Sequence, residues 1–156
     1  ILFFGLMITN SGPKVIEYNV RFGDPECQVI LRNLKSDLLN ILLASGTDSL
    51  SKQKIKIFKR YSICVVLASK GYPKKYKANC KIENINKIKN IKNIEIFHSG
   101  TKKTGDSFFS CGGRVLGISS IGKTISDARL NAYNVLKKIN WKKGFYRKDI
   151  GKKNFK

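Results

Sequence analysis

The run from residue 14 to residue 28, KVIEYNVRFGDPECQ, constrains this chain more than any other segment. Residues 14–21 read as a β-strand, alternating apolar and polar from Ile16 to Arg21, as side chains do that point to opposite faces with period two. Ile16, Tyr18 and Val20 are expected to face a core, and Glu17, Asn19 and Arg21 the other side. The outer face then carries an anionic oxygen donor, a neutral oxygen donor and a fixed cation, roughly 6.6 Å apart along the strand. Such oxygens suit a hard ion such as Mg²⁺, which keeps open positions for phosphate oxygens. A guanidinium at position 21 can hold a carboxylate or phosphate bidentately. The strand runs into Phe22-Gly23-Asp24-Pro25-Glu26, a turn in which Asp24 can cap a following helix. A polar outer face is also the commonest kind of half-exposed strand. Spacing alone therefore leaves a solvated face and a metal–phosphate site both open.

The rest of the chain reads as α+β. Residues 1–9 are an apolar strand, and Thr9-Asn10-Ser11-Gly12-Pro13 supplies turn chemistry, so residues 1–9 and 14–21 form a predicted hairpin. The apolar opening is too short to span a bilayer and lacks a basic leader. Residues 24–34 and 36–44 read as short helices, the second capped by Ser36 or Asp37 and stopped at Gly46. Residues 46–54 are polar, as in a linker, and the chain divides near residue 58. Beyond it, strands are expected at 60–68, 93–99, 107–111 and 114–119. They are separated by a loop at 71–76 and by glycine-bearing turns at 100–105 and 112–113. A covering helix begins at Thr124, where Thr124-x-x-Asp127 makes a capping box. Its apolar stripe is Ile125, Ala128, Ala132, Val135, Leu136 and Ile139, with Lys137-Lys138 closing the last turn.

Lys+Arg 31 against Asp+Glu 10 gives a formal charge of +21. Taken alone this suggests nucleic acid or an anionic surface. The lysines, however, are spread among Ile and Asn, as in IENINKIKNIKNIEI at 82–96, instead of interleaving with aromatic stacking platforms. Compositional drift explains that pattern better than a selected partner, so neither nucleic acid nor membrane is expected to bind. Cys27, Cys64, Cys80 and Cys111 form no C-x-x-C pair, which argues against a zinc site and fits reduced thiols. The single histidine, His98, is read as structural. Ser99-Gly100-Thr101-Lys102 offers amides, a hydroxyl and an ammonium to an anion, and Gly112-Gly113-Arg114 allows close backbone approach beside a guanidinium. Both are also ordinary hairpin turns.

The stretch Ile16-Glu17-Tyr18-Asn19-Val20-Arg21-Phe22-Gly23-Asp24-Pro25-Glu26 resembles the signature near the end of the ATP-grasp domain of the phosphoribosylamine–glycine ligase family. The likeness continues through Leu34-Lys35-Ser36-Asp37-Leu38, Ser69-Lys70-Gly71-Tyr72-Pro73, Phe97-His98-Ser99-Gly100-Thr101-Lys102, Gly112-Gly113-Arg114-Val115-Leu116-Gly117 and Phe145-Tyr146-Arg147-Lys148-Asp149-Ile150-Gly151, in the family's order. Arg32-Asn33 departs from it, standing where the family often has a proline-containing turn, and residues 82–96 match poorly.

The resemblance implies that residues 1–57 end an ATP-grasp domain and residues 58–156 form the ligase's C-terminal α+β domain of mostly antiparallel strands with a covering helix. It implies ATP-dependent joining of glycine to 5-phosphoribosylamine through a glycyl phosphate, giving glycinamide ribonucleotide, ADP and phosphate. Glu17 and Asn19 match the family's Mg²⁺ (or Mn²⁺) ligands. Arg21 is implied as the catalytic group, and Arg21, Asp24, Thr101, Lys102 and Arg114 as substrate contacts. The implied enzyme is cytoplasmic and monomeric at full length, with ATP as substrate. A chain of this extent is expected to lack the nucleotide-gripping part and to be inactive alone. Two other classes stand beside this reading: another ATP-grasp ligase or carboxylase, since Glu-x-Asn-x-Arg is widely shared among them, and a non-catalytic basic nucleic-acid-binding module.

Overall fold

The computed structural model describes residues 1–152; the last four positions of the expected second domain lie outside them. The chain opens with a hairpin of β1 (Phe3–Thr9) and β2 (Gly12–Asn19), turning at Asn10 and Ser11. Gly12 leaves the turn at φ 94°, a conformation that costs glycine little. Gly5 lies opposite Glu17 and Leu6 opposite Val15, so Ile16 is an extra residue in β2. This bulge interrupts the alternation upstream of Glu17. From Glu17 on, period two holds: Phe4 pairs with Tyr18 on one face, Gly5 and Phe3 with Glu17 and Asn19 on the other.

The expectation that Ile16, Tyr18 and Val20 enter a core is not met. They are 63, 70 and 86 % exposed. Alternation separates two faces but does not supply a layer to cover either, and a two-stranded ribbon buries little by itself. The Tyr18 ring lies beside Phe4, with ring centroids 6.4 Å apart. Arg21 also lies past the end of β2, so its direction is set by the following turn and not by the pleat.

Helix α1 (Glu26–Asn33) follows that turn, and α2 (Leu38–Gly46) comes next. Asp37 caps α2, its Oδ1 accepting from the Asn40 amide at 3.0 Å. Asp24 caps nothing, because the residue before α1 is Pro25 and the Asp24 carboxylate is engaged elsewhere. Gly46 is the last residue of α2 and Thr47 caps its end. Part of the expected linker makes a short 3₁₀ turn at Leu50–Lys52. The chain then returns along α1's end: Phe58 donates its amide to Asn33 O, and Lys35 its amide to Lys56 O.

The main sheet has the order β5 (Ile94–His98), β8 (Arg114–Gly122), β3 (Tyr61–Ser69), β9 (Gly144–Tyr146), with every neighbouring pair antiparallel. A smaller sheet joins β4 (Lys81–Ile82), β7 (Ser107–Ser110) and β6 (Thr101–Thr104). Strands β4, β6 and β9 are short, and β6 runs through the expected turn at 100–105. Helix α3 (Ile125–Leu136) carries the predicted capping box, Thr124 Oγ1 accepting from the Asp127 amide while Asp127 accepts from the Thr124 amide. Lys137 and Lys138 fall just beyond its last turn instead of inside it.

Register in the centre of the sheet divides its faces. Ile63, Val65 and Leu67 of β3 lie opposite Ser120, Ile118 and Leu116 of β8 and face α3, whose Ala128, Ala132, Val135 and Leu136 are buried. Ser120 Oγ donates to the Ala128 carbonyl there. Burying each large aliphatic side chain of this layer contributes about 1.5–3 kcal/mol. On the reverse face, Cys64 and Ser119 lie under α1, where Ser119 Oγ donates to Gln28 O and Ser62 Oγ to Val29 O. The fold is thus α+β: an antiparallel sheet between two helices, one of which directly follows the hairpin's exit turn.

Candidate functional site

The packing of α1 on the sheet brings distant parts of the chain around one cavity of about 790 Å³. It is lined by Arg21, Phe22, Gly23 and Asp24 from the turn, Cys27, Gln28, Leu31 and Arg32 from α1, and Phe97 and Arg114 from β5 and β8. Three candidate residues, Arg21, Asp24 and Arg114, therefore share a site despite separations of up to 93 positions. Arg114 Nη2 lies 3.1 Å from Asp24 Oδ2, and its Nη1 donates to the Asp24 carbonyl at 2.8 Å. The other carboxylate oxygen of Asp24 accepts from Gln28 Nε2 at 3.1 Å, one helical turn on. Arg21 bends back and donates to Phe22 O at 2.8 Å.

Glu17 and Asn19 share the hairpin face that looks towards this turn. Phe3, opposite Asn19, closes on Gly23, where an added Cβ would sit 2.9 Å from Phe3 Cε2. Neither Glu17 nor Asn19 has its side-chain oxygen committed to a hydrogen bond or ion pair among the described residues. An anionic and a neutral oxygen on one face fit a hard divalent ion. No cluster of three His, Cys, Asp or Glu side chains occurs among the described residues, so phosphate oxygens and water would have to complete such a shell.

Thr101 and Lys102 stand apart. The amides of Ser99, Gly100 and Thr101 donate to Val115 O, Arg114 O and Ser99 O, so the expected amide cradle is used up inside the protein. Thr101 Oγ1 is 2.9 Å from His98 Nδ1, and the His98 ring stacks on Phe108 at 5.0 Å. Burial, with Lys89 nearby, holds the His98 pKa below the usual imidazole value. The glycines of 112–113 are also occupied internally. An added Cβ on Gly100 would meet Gly112 Cα at 2.7 Å, and one on Gly113 would meet Tyr72 Cδ2 at 2.3 Å. The close approach these loops permit is backbone to backbone and backbone to ring.

Sequence reasoning missed Arg32, Gln28 and Phe97 as lining residues. Arg32 donates through Nη1 to Ser119 O at 2.8 Å and Asn93 O at 3.3 Å, and Asn33 Nδ2 donates to Ser62 Oγ at 2.7 Å. The two residues that depart from the family pattern are thus among those that fasten α1 to the sheet. Burial lowers the Arg32 pKa. Cys64, under the same helix, is pushed up to about 12, first by burial and then by the Asp24 carboxylate. A local signal existed for Gln28 alone, at the i+4 position from Asp24.

Comparison with known proteins places nearly the whole chain beside one family. Residues 62–153 match the family described as "Phosphoribosylglycinamide synthetase, C domain", and residues 1–27 match "Phosphoribosylglycinamide synthetase, ATP-grasp (A) domain". Proteins named phosphoribosylamine–glycine ligase are 44% identical over 151 residues in Brucella melitensis and 45% over 151 residues in Agrobacterium fabrum. In both, 97% of this chain and 35% of the relative are covered. A chloroplastic protein of that name from Arabidopsis thaliana is 43% identical over 155 residues, covering 97% of this chain and 29% of the relative. The crystal structure of phosphoribosylamine–glycine ligase from Thermotoga maritima superposes with a TM-score of 0.70 at 29% identity, over 95% of this chain and 36% of that one. The chain spans about a third of the length of the relatives it matches. No helix among the described residues is long and apolar enough to cross a membrane. With more than half of its residues matched by the C-domain profile and its hairpin by the adjoining ATP-grasp profile, the chain belongs to the phosphoribosylglycinamide synthetase family.

Proposed function

We propose that this chain is part of a carbon–nitrogen ligase that joins glycine to 5-phosphoribosylamine at the expense of ATP, in purine synthesis. The single observation that carries the reading is the meeting of Arg21, Asp24 and Arg114 around one cavity beside the Glu17–Asn19 face. Phosphoryl transfer asks a protein mainly for positioning and for cations where charge develops. Glu17 and Asn19 would hold Mg²⁺ or Mn²⁺, and that ion, when bound, supplies charge neutralisation at phosphoryl oxygens. Arg21, which has no carboxylate partner among the described residues, would orient the γ-phosphoryl group as the glycine carboxylate attacks and ADP leaves. Asp24, held by Arg114 and Gln28, would accept from the substrate amine that then displaces phosphate. Lys102, also free of ion pairs among the described residues, and the neighbouring Thr101 do not line this cavity and would meet substrate only outside it.

Residues 1–57 are proposed to end the ATP-grasp unit and residues 58–156 to form the C-terminal unit, a reading supported by family matches at 1–27 and 62–153. The same reading takes the working enzyme as cytoplasmic and monomeric, with small-molecule substrates only, the charge of +21 being incidental, and this chain as inactive by itself. The test is a chimera in which these residues replace the matching segment of the Brucella melitensis relative. It is expected to form glycinamide ribonucleotide, identified by mass spectrometry, with ADP release that depends on glycine. A folded chimera with no glycine-dependent ADP formation would overturn the proposal.

A further inference from the structure

Away from that cavity, one buried polar group has no partner. Trp141, the one tryptophan of the chain, is 8 % exposed, and its Nε1–H meets no acceptor among the described residues. A buried indole N–H normally finds an acceptor, because leaving the bond unmade forfeits the hydration the group gave up. Trp141 sits in the connection between α3 and β9, which is tied down along its length. Glu83 and Asn140 exchange backbone bonds at 3.0 and 3.3 Å, Lys70 donates its amide to Lys143 O at 2.8 Å, and the Gly144 amide donates to Trp141 O at 3.0 Å. The same segment lines a polar cavity of about 370 Å³, with Asn140, Trp141, Lys142 and Lys143 facing Lys81 and Glu83. Gly144 does not line it. That glycine packs on the Cε3–Cζ3 edge of the ring, the side away from Nε1, where an added Cβ would clash.

The rim of this cavity is cationic. Lys81, Lys142 and Lys143 are exposed, and none pairs with a carboxylate among the described residues. Glu83 is the one carboxylate in the lining, and its Oε2 accepts from Asn140 Nδ2. A water molecule can accept from Nε1, but it does not answer three ammoniums gathered around one space. An oxyanion answers both. We propose that this cavity is an anion site, in which Trp141 Nε1 donates to an oxygen of a phosphate group while Lys81, Lys142 and Lys143 supply the countercharge. It shares no lining residue with the cavity of Arg21, Asp24 and Arg114, so it stands or falls apart from the ligase reading.

Because Trp141 is the only tryptophan, its indole N–H gives a single NMR signal that reports on the donor directly. The test titrates the 156-residue chain with inorganic phosphate and, separately, with glycerol 3-phosphate, at an ionic strength held constant with sodium chloride. The indole proton is expected to move downfield and to saturate at millimolar phosphate, together with the backbone amides of Lys81, Lys142 and Lys143. Lys142→Gln and Lys143→Gln should each weaken binding by about threefold or more, as for loss of one cation beside the bound charge. Lys14→Gln, on the hairpin and outside the lining, should bind as the native chain does. Trp141→Phe keeps a ring but removes the donor, and the backbone amides should then show weakened binding; if that variant does not fold, the two lysine variants decide. Glycerol 3-phosphate binding as tightly as inorganic phosphate would assign a phosphoryl group carried on a larger molecule, and inorganic phosphate binding alone would assign the free ion. An unmoved indole signal, or a shift that grows without saturating and equally with chloride, would overturn the site and leave water as the acceptor. Native affinity in both lysine variants would overturn it as well, and so would phosphate shifts confined to residues 21–24 and 114, which belong to the other cavity.

Discussion

The Arg114–Asp24 contact joins the turn after the hairpin to the first residue of β8, and its strength can be worked out before it is measured. Arg114→Met keeps the apolar stem and removes two bonds. One is the ion pair at 3.1 Å between side chains 42% and 45% exposed; pairs of that exposure contribute about 0.2–1 kcal/mol. The other is the 2.8 Å bond to the Asp24 carbonyl, worth about 1 kcal/mol net. The expected loss is therefore about 1–2 kcal/mol. Asp24→Asn keeps the carbonyl and an oxygen for Gln28 but loses the charge, for a cost of about 0.5 kcal/mol. The double-mutant cycle, read from urea unfolding of the four proteins, should give a coupling of about 0.5 kcal/mol that shrinks in 1 M salt. A coupling above about 2 kcal/mol, insensitive to salt, would refute the reasoning, because it would require a desolvated pair. So would an Arg114→Met protein as stable as the native one.

Neighbouring layers should respond differently to truncation. Tyr18→Ala is expected to cost under about 1 kcal/mol in this chain because the ring is 70 % exposed, whereas Ile118→Ala, at a fully buried position, should cost about 2–5 kcal/mol by urea unfolding; similar losses at both sites would contradict the burial. Exposed Cys111 should react with a thiol reagent at pH 8 while buried Cys64, its pKa pushed up to about 12, reacts only on unfolding; mass mapping of the modified thiols decides it, and equal rates would count against the packing of α1. His98 favours its neutral form in the fold, so its contribution is fully present above the ordinary imidazole pKa and is lost as pH falls below that value. The native chain should thus lose more stability than His98→Gln between about pH 7.5 and pH 5; superimposable pH profiles would remove His98 from the account.

Much of this architecture was legible because its signals are local. The Thr124–Asp127 box, the stripe through Ala128, Ala132 and Val135, and the β-branched run of β3 each fix an element within a dozen residues. What failed depended on partners far away in sequence. Period two correctly separated Glu17 and Asn19 from Tyr18, but no sequence rule says what covers a face, and Tyr18 is bare. Strand β6, rich in lysine, exists because β7 pairs with it, and β9 because β3 does. Asp24 looked like a cap because nothing nearby advertises Arg114, 90 positions on. Arg32 likewise looked like a mismatch in a turn, and its role depends on carbonyls of Asn93 and Ser119.

The central claim is that the Glu17–Asn19 face holds the metal that works on phosphoryl groups, and Glu17→Gln in the full-length chimera tests it most directly. The change removes one charge with almost no change in shape, at an exposed position that holds none of the core. Turnover is expected to fall by about 100-fold or more, on the order of 3 kcal/mol of lost charge stabilisation, with a raised Mg²⁺ requirement and an unaltered melting curve. An enzyme that turns over and depends on Mg²⁺ as before would contradict the account.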